Sequence, residues 1–406
     1  MASTGRVRTS HAGSLPRPEG LIELNRRRLD EEAFDPAEYA ETLRAATAEV
    51  VARQAQIGID LPNDGEYGHT MGQKVDYGAW WSYSFGRVEG LGRLVTMDEV
   101  PAAAPAQGIQ LASFPERRDW NLFADAYQDP DAGVAPKGKS AKGQTESGMM
   151  LPVCDAPLRY VGQAEVARDV DNMRAAMDAA GVQRGFLCAL GVGSAARVGN
   201  THYPTEEEFL WAWADVMREE YEAIADAGLI VQIDEPGFAE AWDQFNPEPS
   251  LADYRAYTRV RIEALNHALR NVPRELVRFH CCWGSWHGPH VTDIPLADVA
   301  DLLLEIDAGS YSFEAANVRH EHEWRVWEAV ELPADRVLVP GVVSHATNVV
   351  EHPDLVADRI ERFARVVGPE RVIAGTDCGL GGRVHPQIAW AKLEALVEGA
   401  RRFNGG

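Results

Sequence analysis

Short β-rich segments alternate with longer amphipathic stretches along most of the chain, and this alternation is the main architectural signal. Eight segments carry it: Ile57 to Asp64, Met149 to Cys154, Gly185 to Leu190, Leu229 to Asp234, Val277 to Cys282, Gly309 to Glu314, Val337 to Val343 and Arg371 to Asp377. Each is followed by a turn and a helical pattern, which predicts an α/β fold of the (β/α)8 TIM barrel type. The helices carry their own start signals. Asp35-Pro36 opens a helix before the first strand, Thr205 to Glu208 is a capping box, and Ser250 with Asp253 opens the helix before the fifth strand. Phe209, Trp213, Val216, Tyr221 and Ile224 form the apolar stripe of the second of these helices, which ends before Gly228.

Two regions break the repeat. An N-terminal extension, Arg8 to Arg17, precedes the first strand, and residues 67–148 form a long insertion after it, far beyond ordinary loop length. The insertion contains Trp80, Trp81, an Ala/Pro-rich stretch from Pro101 to Pro105, and Trp120. Its aromatic content suits a lid or a wall of a substrate pocket; a small packing subdomain or a dimer surface is the alternative. The 406 residues are otherwise read as one barrel domain spanning 1–406, compatible with a homo-oligomer.

With 45% hydrophobic and 25% charged residues the composition is that of an ordinary globular protein. A net charge of -23 repels phosphate backbones and anionic membranes, so neither nucleic acid nor membrane is an expected partner. No apolar run approaches the roughly 20 residues of a membrane span. The segment Met1 to Arg8 lacks the apolar stretch of a signal peptide, and a cytoplasmic location is expected. The five cysteines, an odd and sparse set, suit a reducing compartment and leave thiols free to bind metal.

In a barrel of this kind the active site lies at the C-terminal ends of the strands, and nearly every predicted strand ends in polar residues. His280 and Cys282 are two apart on one strand and face the same side, while Cys281 faces the other. Glu314 follows Cys282 by 32 residues (314 minus 282) and Cys378 follows Glu314 by 64 (378 minus 314), about one and two strand–helix units, so all four can converge. One imidazole, two thiolates and a carboxylate make an apt zinc set, with Glu314 as the replaceable member. Cys154, Cys188 and Cys281 read as small buried hydrophobes. Zinc already carrying two thiolates is weak at activating water but suited to a third thiolate, the requirement for S-alkylation. His345 is the candidate general acid, or else a hydrogen-bonding residue behind the ligands. Asp234 joins it among the catalytic candidates. Glu66 and Asp234 are placed to hold an ammonium group of the thiol substrate, although either could be a strand-end cap and Glu235 competes with Asp234. The His-rich Arg319 to Trp324 reads as a charged helix start.

At this point the residues resemble the catalytic half of the cobalamin-independent methionine synthase family and its short single-barrel relatives. His11-Ala-Gly-Ser-Leu-Pro-Arg17 resembles the family's Gly-Ser-x-Pro segment, Asp64-Gly-Glu66 its Asn-Gly-Glu, and Ile233-Asp-Glu-Pro236 its Ile-Asp-Glu-Pro. His280-x-Cys282, Glu314 and Asp377-Cys378-Gly379 are similar to its zinc ligands, and His345-Ala-Thr-Asn348 to its His-x-x-Asn. The resemblance implies a zinc-bound thiol such as homocysteine, its amino group on Glu66 and Asp234 and its carboxylate against Gly13 and Ser14. It implies partners no larger than a small-molecule thiol and an alkyl donor.

The N-terminal barrel of the long enzymes has no counterpart in this resemblance, and the charge suits a polyglutamate tail poorly. Cys282 to His290 and Ala374 to Cys378 look more like short relatives such as epoxyalkane:coenzyme M transferase, in which a thiol opens an epoxide. The leading expectation is therefore a zinc-dependent S-alkyltransferase moving a methyl or small alkyl group to a thiol, with thiol addition to an epoxide as the alternative. A metal-free lyase or decarboxylase on a related barrel, and a non-catalytic thiol or zinc sensor, are the readings from other classes.

Overall fold

The computed structural model describes residues 5–29, 32–71, 83–96, 109, 111–112, 116–129, 131–134 and 150–405. In chain order its strands are β1 (Arg8–Thr9), β2 (Val88–Glu89), β3 (Arg93–Thr96), β4 (Met150–Cys154), β5 (Arg159–Tyr160) and β6 (Phe186–Leu190). They continue with β7 (Gly199–Asn200), β8 (Ile230–Asp234), β9 (Val277–His280), β10 (Ser310–Phe313), β11 (Val337–Val343) and β12 (Ile373–Thr376). Seven form one curled parallel sheet in the order β1-β12-β11-β10-β9-β8-β6. Burial on both faces explains why β6, β9, β10, β11 and β12 read as continuous runs without alternation: every residue in them is buried.

The edges β1 and β6 are bridged by residues 61–63. Leu61 N donates to Thr9 O at 3.1 Å, Phe186 N donates to Pro62 O at 3.1 Å, and Asn63 makes a single parallel bridge to Phe186. The expected first strand, Ile57 to Asp64, is therefore not a strand. Ile57 ends the helix Pro36–Ile57, Gly58 caps it at φ 102°, and Pro62 has no N–H to give a ladder. The carboxylate of Asp60 takes up Thr9 N instead, at 2.9 Å. The expected second strand is also displaced. Met150–Cys154 forms, but it pairs antiparallel with β3 and parallel with β7 in a separate three-stranded sheet, because β3 offers it a full register from Arg93↔Val153 to Thr96↔Met150. The N-terminal extension supplies the missing member of the main sheet, β1, against β12.

The helix starts are those expected from the sequence. Asp35 accepts from Ala37 N at 2.8 Å, Thr205 from Glu208 N at 3.1 Å, and Ser250 from Asp253 N at 3.1 Å. The stripe Phe209, Trp213, Val216, Tyr221 and Ile224 is buried throughout, and the helix they line, Glu206–Asp226, packs on β8 and β6. Among the described residues no helix is long and apolar enough to cross a membrane.

Within the insertion, Trp80, Trp81 and Pro101 to Pro105 lie outside the described residues. Trp120 stacks on Tyr127 with ring centroids 5.0 Å apart. The Tyr127 hydroxyl donates to Asp119 at 2.8 Å and accepts from Trp286 Nε1 at 2.8 Å, while Asp119 accepts from Val291 N at 3.1 Å. The segment is thereby tied to the loop that follows Cys282.

Candidate active site

Three of the proposed ligands meet. His280 at the end of β9, Cys282 just beyond it and Cys378 after β12 bring ligand atoms within 4.8 Å of one another. His280 and Cys282 are buried and Cys378 is half-buried. Ser312, paired with His280 across β10, places its hydroxyl 3.1 Å from Nδ1 of the ring, which leaves Nε2 as the nitrogen available to a metal. A tetrahedral zinc with such ligands needs edges of about 3.3–3.8 Å, and one imidazole and two thiols gathered within the 4.8 Å bound are a donor set that suits such an ion. The two thiols are electrostatically unequal. A hydrogen bond from Cys282, reinforced by His280, holds Cys378 well below the ordinary thiol range; the same bond, together with burial, pushes Cys282 up.

Glu314 falls in a second group, with His345 and Asp377, whose ligand atoms again lie within 4.8 Å of one another. One carboxylate oxygen of Glu314 accepts from Trp283 N at 2.9 Å and the other from the Asn317 amide. Burial, then the negative charges of Asp377 and Cys378, raise Glu314 well above the ordinary carboxylate range. His345 is 1% exposed, and neither ring nitrogen has a hydrogen-bond partner among the described residues. Burial lowers it to about 3, so the ring is neutral. Asp377 Oδ1 accepts from Ala315 N at 2.7 Å and Ala316 N at 2.8 Å, locking the loop after Glu314 to the one that carries Cys378.

A third group joins Glu66, Asp234 and Cys188, also within 4.8 Å. Glu66 is held in the left-handed region, φ 59°, by the turn in which Asn63 Oδ1 accepts from Gly65 N at 2.8 Å and Asp64 Oδ1 from Glu66 N at 2.9 Å. Gln232 Nε2 donates to Asp234 at 2.7 Å and to Ala12 O at 2.8 Å, fixing the N-terminal extension against β8. Burial, together with the charge of Glu66, pushes Asp234 up to about 8. Burial acts the same way on Glu66, but the hydrogen bond and charge of His69 and the charge of Arg17 outweigh it and leave Glu66 below its ordinary value. Two buried carboxylates thus lie together with opposite shifts, one raised and one lowered.

Gly13 and Ser14 adjoin these groups. Gly13 adopts φ 121°, and a Cβ there would stand 2.3 Å from Glu66 Oε1 and 2.6 Å from Cys188 Sγ. Ser14 O accepts from Leu380 N and Gly381 N, both at 2.9 Å, seating the extension on the loop after Cys378. Glu235 points elsewhere, accepting from Gly193 N at 2.7 Å and from the Ser194 hydroxyl. Within Arg319 to Trp324, a 3-10 helix begins at Glu321, and His320 is stacked on Trp283 at 3.9 Å.

Ser312 has no role in the sequence reading, Asp377 enters it only as the neighbour of Cys378, and Cys188 is read there as a small buried hydrophobe, yet all three adjoin the candidate site. Two have a legible signal: Ser312 is two residues before Glu314, and Cys188 two before the end of β6, so strand alternation turns Ser312 to the face of Glu314 and Cys188 to the face of Leu190. Asp377 offers only its adjacency to Cys378.

Residues 204–402 match the family described as cobalamin-independent synthase, catalytic domain. Over 203 residues, 49% of the chain, it is 26% identical to a methionine synthase of Thermococcus kodakarensis, covering 51% of that protein. Over 49% of the chain it is 27% identical to a 2-hydroxypropyl-CoM lyase of Xanthobacter autotrophicus, covering 56% of it. The match thus spans about half the length of these curated relatives. The fold is similar to that of a B12-independent methionine synthase from Shewanella, with a TM-score of 0.67 at 18% identity over 98% of the chain and 97% of that structure. Over residues 204–402, just under half of the chain, the sequence is thus similar to the cobalamin-independent synthase catalytic domain.

Proposed function

We propose that this chain is a zinc-dependent S-alkyltransferase that moves a methyl or other small alkyl group onto a thiol such as homocysteine. The observation that carries the reading is the convergence of His280, Cys282 and Cys378 beside a separate carboxylate pair, Glu66 and Asp234. A metal centre and a cation receptor side by side suit one ligand that carries both a thiol and an ammonium group. When bound, zinc supplies the positive charge that lets a substrate thiol lose its proton near neutral pH. Glu314, anchored by Trp283 and Asn317 outside the three-ligand group, would be the fourth ligand, the one an incoming thiol would replace. Glu66 and Asp234 hold the ammonium, and Gly13 and Ser14 bring the backbone of the extension against the substrate carboxylate. The proton lost by the thiol equals the one gained by the atom that leaves the alkyl carbon. His345, kept neutral by burial and with both ring nitrogens unengaged among the described residues, is the group that carries it. We read the seven-stranded sheet, with 61–63 as its bridge, as a (β/α)8 barrel, and the 67–148 insertion as one wall of the pocket.

A second reading has its own support, the likeness to the 2-hydroxypropyl-CoM lyase, and replaces alkyl transfer by thiol addition to an epoxide. The test is to supply the zinc-loaded protein with homocysteine and methyl donors, and separately with coenzyme M and epoxypropane, and to follow thiol consumption. Consumption in one arm selects the reaction; consumption in neither overturns both.

A further inference from the structure

Burying a polar atom without a partner is costly, and three such atoms in one place call for an explanation. Nδ1 and Nε2 of His345 and Oδ2 of Asp377 are all buried and make no hydrogen bond among the described residues. Both residues belong to the group whose ligand atoms lie within 4.8 Å, with Glu314 as the third member. Burial raises the Asp377 carboxyl to about 6, against the Ala315 and Ala316 amides, the charge of Arg359 and the Ser344 hydroxyl, which all favour the carboxylate. Asp377 itself cannot drift, because its other oxygen is fixed by Ala315 N and Ala316 N and its main chain faces Gly341, where a Cβ would stand 2.1 Å from Oδ1 and 2.6 Å from the Asp377 Cα.

We propose that Asp377 is a positioning residue for His345: its Oδ2 is joined to the imidazole by a hydrogen-bonded link one water long, which fixes the ring's orientation and tautomer. One ligand atom each of Asp377, His345 and Glu314 lies within 4.8 Å of the others, a separation that a single bridging water with two to four polar partners can span. In this link the water donates to Oδ2 and accepts from the imidazole, so that the nitrogen facing Asp377 carries the proton, leaving the opposite nitrogen to receive the thiol's proton and deliver it to the departing atom. The inference rests on the reading of His345 as proton carrier, but its spectroscopic arm does not need turnover.

The test uses the full-length zinc-loaded protein and Asp377→Asn, which keeps an oxygen for the Ala315 and Ala316 amides and removes the charge. The expected result is a fall in kcat for thiol alkylation of about 100-fold or more, with KM for the thiol within about twofold and zinc content unchanged. In a His345→Gln background the same substitution has almost no effect, a coupling that a merely structural role would not produce. In 15N-imidazole-labelled wild-type protein His345 gives one fixed tautomer, and Asp377→Asn averages it. A tautomerically averaged wild-type His345 overturns the proposal even if the variant fails to fold. So does additive loss in the double variant, or a second metal ion per chain released by Asp377→Asn. If no thiol is alkylated by the wild type, the functional reading fails, and the tautomer alone decides this one.

Discussion

The Ser312 hydroxyl lies 3.1 Å from Nδ1 of His280, across the β9–β10 pair that holds the two residues in register. An imidazole that binds metal through one nitrogen is oriented by what the other touches, and outer partners of this kind typically contribute 10–100-fold in metal affinity, on the order of 1–3 kcal/mol. Ser312→Ala is therefore expected to weaken zinc binding by about 10-fold or more, in a protein that still folds. Competition with a chromogenic chelator measures this directly; an unchanged affinity would remove Ser312 from the centre.

Glu314 gives the opposite expectation. Its carboxylate is tied to Trp283 N and Asn317 rather than gathered with His280, Cys282 and Cys378. Glu314→Ala should then retain zinc, because three soft ligands remain, while thiol affinity changes. Some stability is lost, about 1–3 kcal/mol, since Trp283 N is left buried without its acceptor. Zinc content and thiol titration by calorimetry separate the two effects. Loss of all zinc would make Glu314 an obligatory ligand.

The contrast between these two residues indicates where sequence reading reaches and where it stops. The spacing of His280 and Cys282 on one strand, and of Glu314 and Cys378 one and two units beyond, fixes which residues reach the same end of the sheet, because strand alternation and the strand–helix repeat are both regular. Alternation does not fix distances of a few ångströms, so the grouping of Glu314 with Asp377 and His345 was out of reach. Thr205, Ser250 and Asp35 were legible as caps because a cap is a local hydrogen bond. Ile57 to Asp64 was misread because its Ile and Leu look like strand, whereas Gly58 and Pro62 decide the outcome through a left-handed φ and a missing donor. The displacement of Met150–Cys154 was illegible for another reason: its partner β3 comes from within the insertion, and long-range pairing leaves no local mark.

Gly13 offers a steric test of the cation receptor. A Cβ at this position would stand 2.3 Å from Glu66 Oε1 and 2.6 Å from Cys188 Sγ, at a φ of 121° that side chains rarely adopt. Gly13→Ala is expected to displace the Glu66 carboxylate, raising KM for an amino thiol at least about 10-fold, the loss of roughly one charge-assisted hydrogen bond. Zinc content should be unaffected, because His280, Cys282 and Cys378 lie in another group. A thiol without an amino group should be insensitive to the change, and equal losses for both thiols would refute the assignment.

His320 supplies a pH-dependent stability term. Its ring is stacked on Trp283, with Nε2 3.0 Å from Asp293 and Nδ1 2.8 Å from Glu323. Burial lowers its pKa, but the hydrogen bonds to Asp293 and Glu323 and their charges outweigh this and raise it from 6.5 to about 8. His290, which shares Asp293, is raised for the same reason once burial is overcome. A folded pKa above the unfolded one means that the native state binds the proton more tightly. The stabilisation is therefore complete below about pH 6.5 and disappears as pH rises through about 8, amounting to about 2 kcal/mol. His320→Gln keeps a hydrogen-bonding side chain but no charge between two carboxylates. It should lower unfolding stability by about 2 kcal/mol at pH 6 and by much less at pH 9, as read from urea melts at the two pH values. Because the main-chain N–H of Trp283, whose ring is the stacked partner, donates to Glu314, the loss at low pH should also loosen that carboxylate, and the variant's thiol affinity should fall most where its stability deficit is greatest. An equal deficit at both pH values would mean that His320 acts through packing on Trp283 and not through its charge.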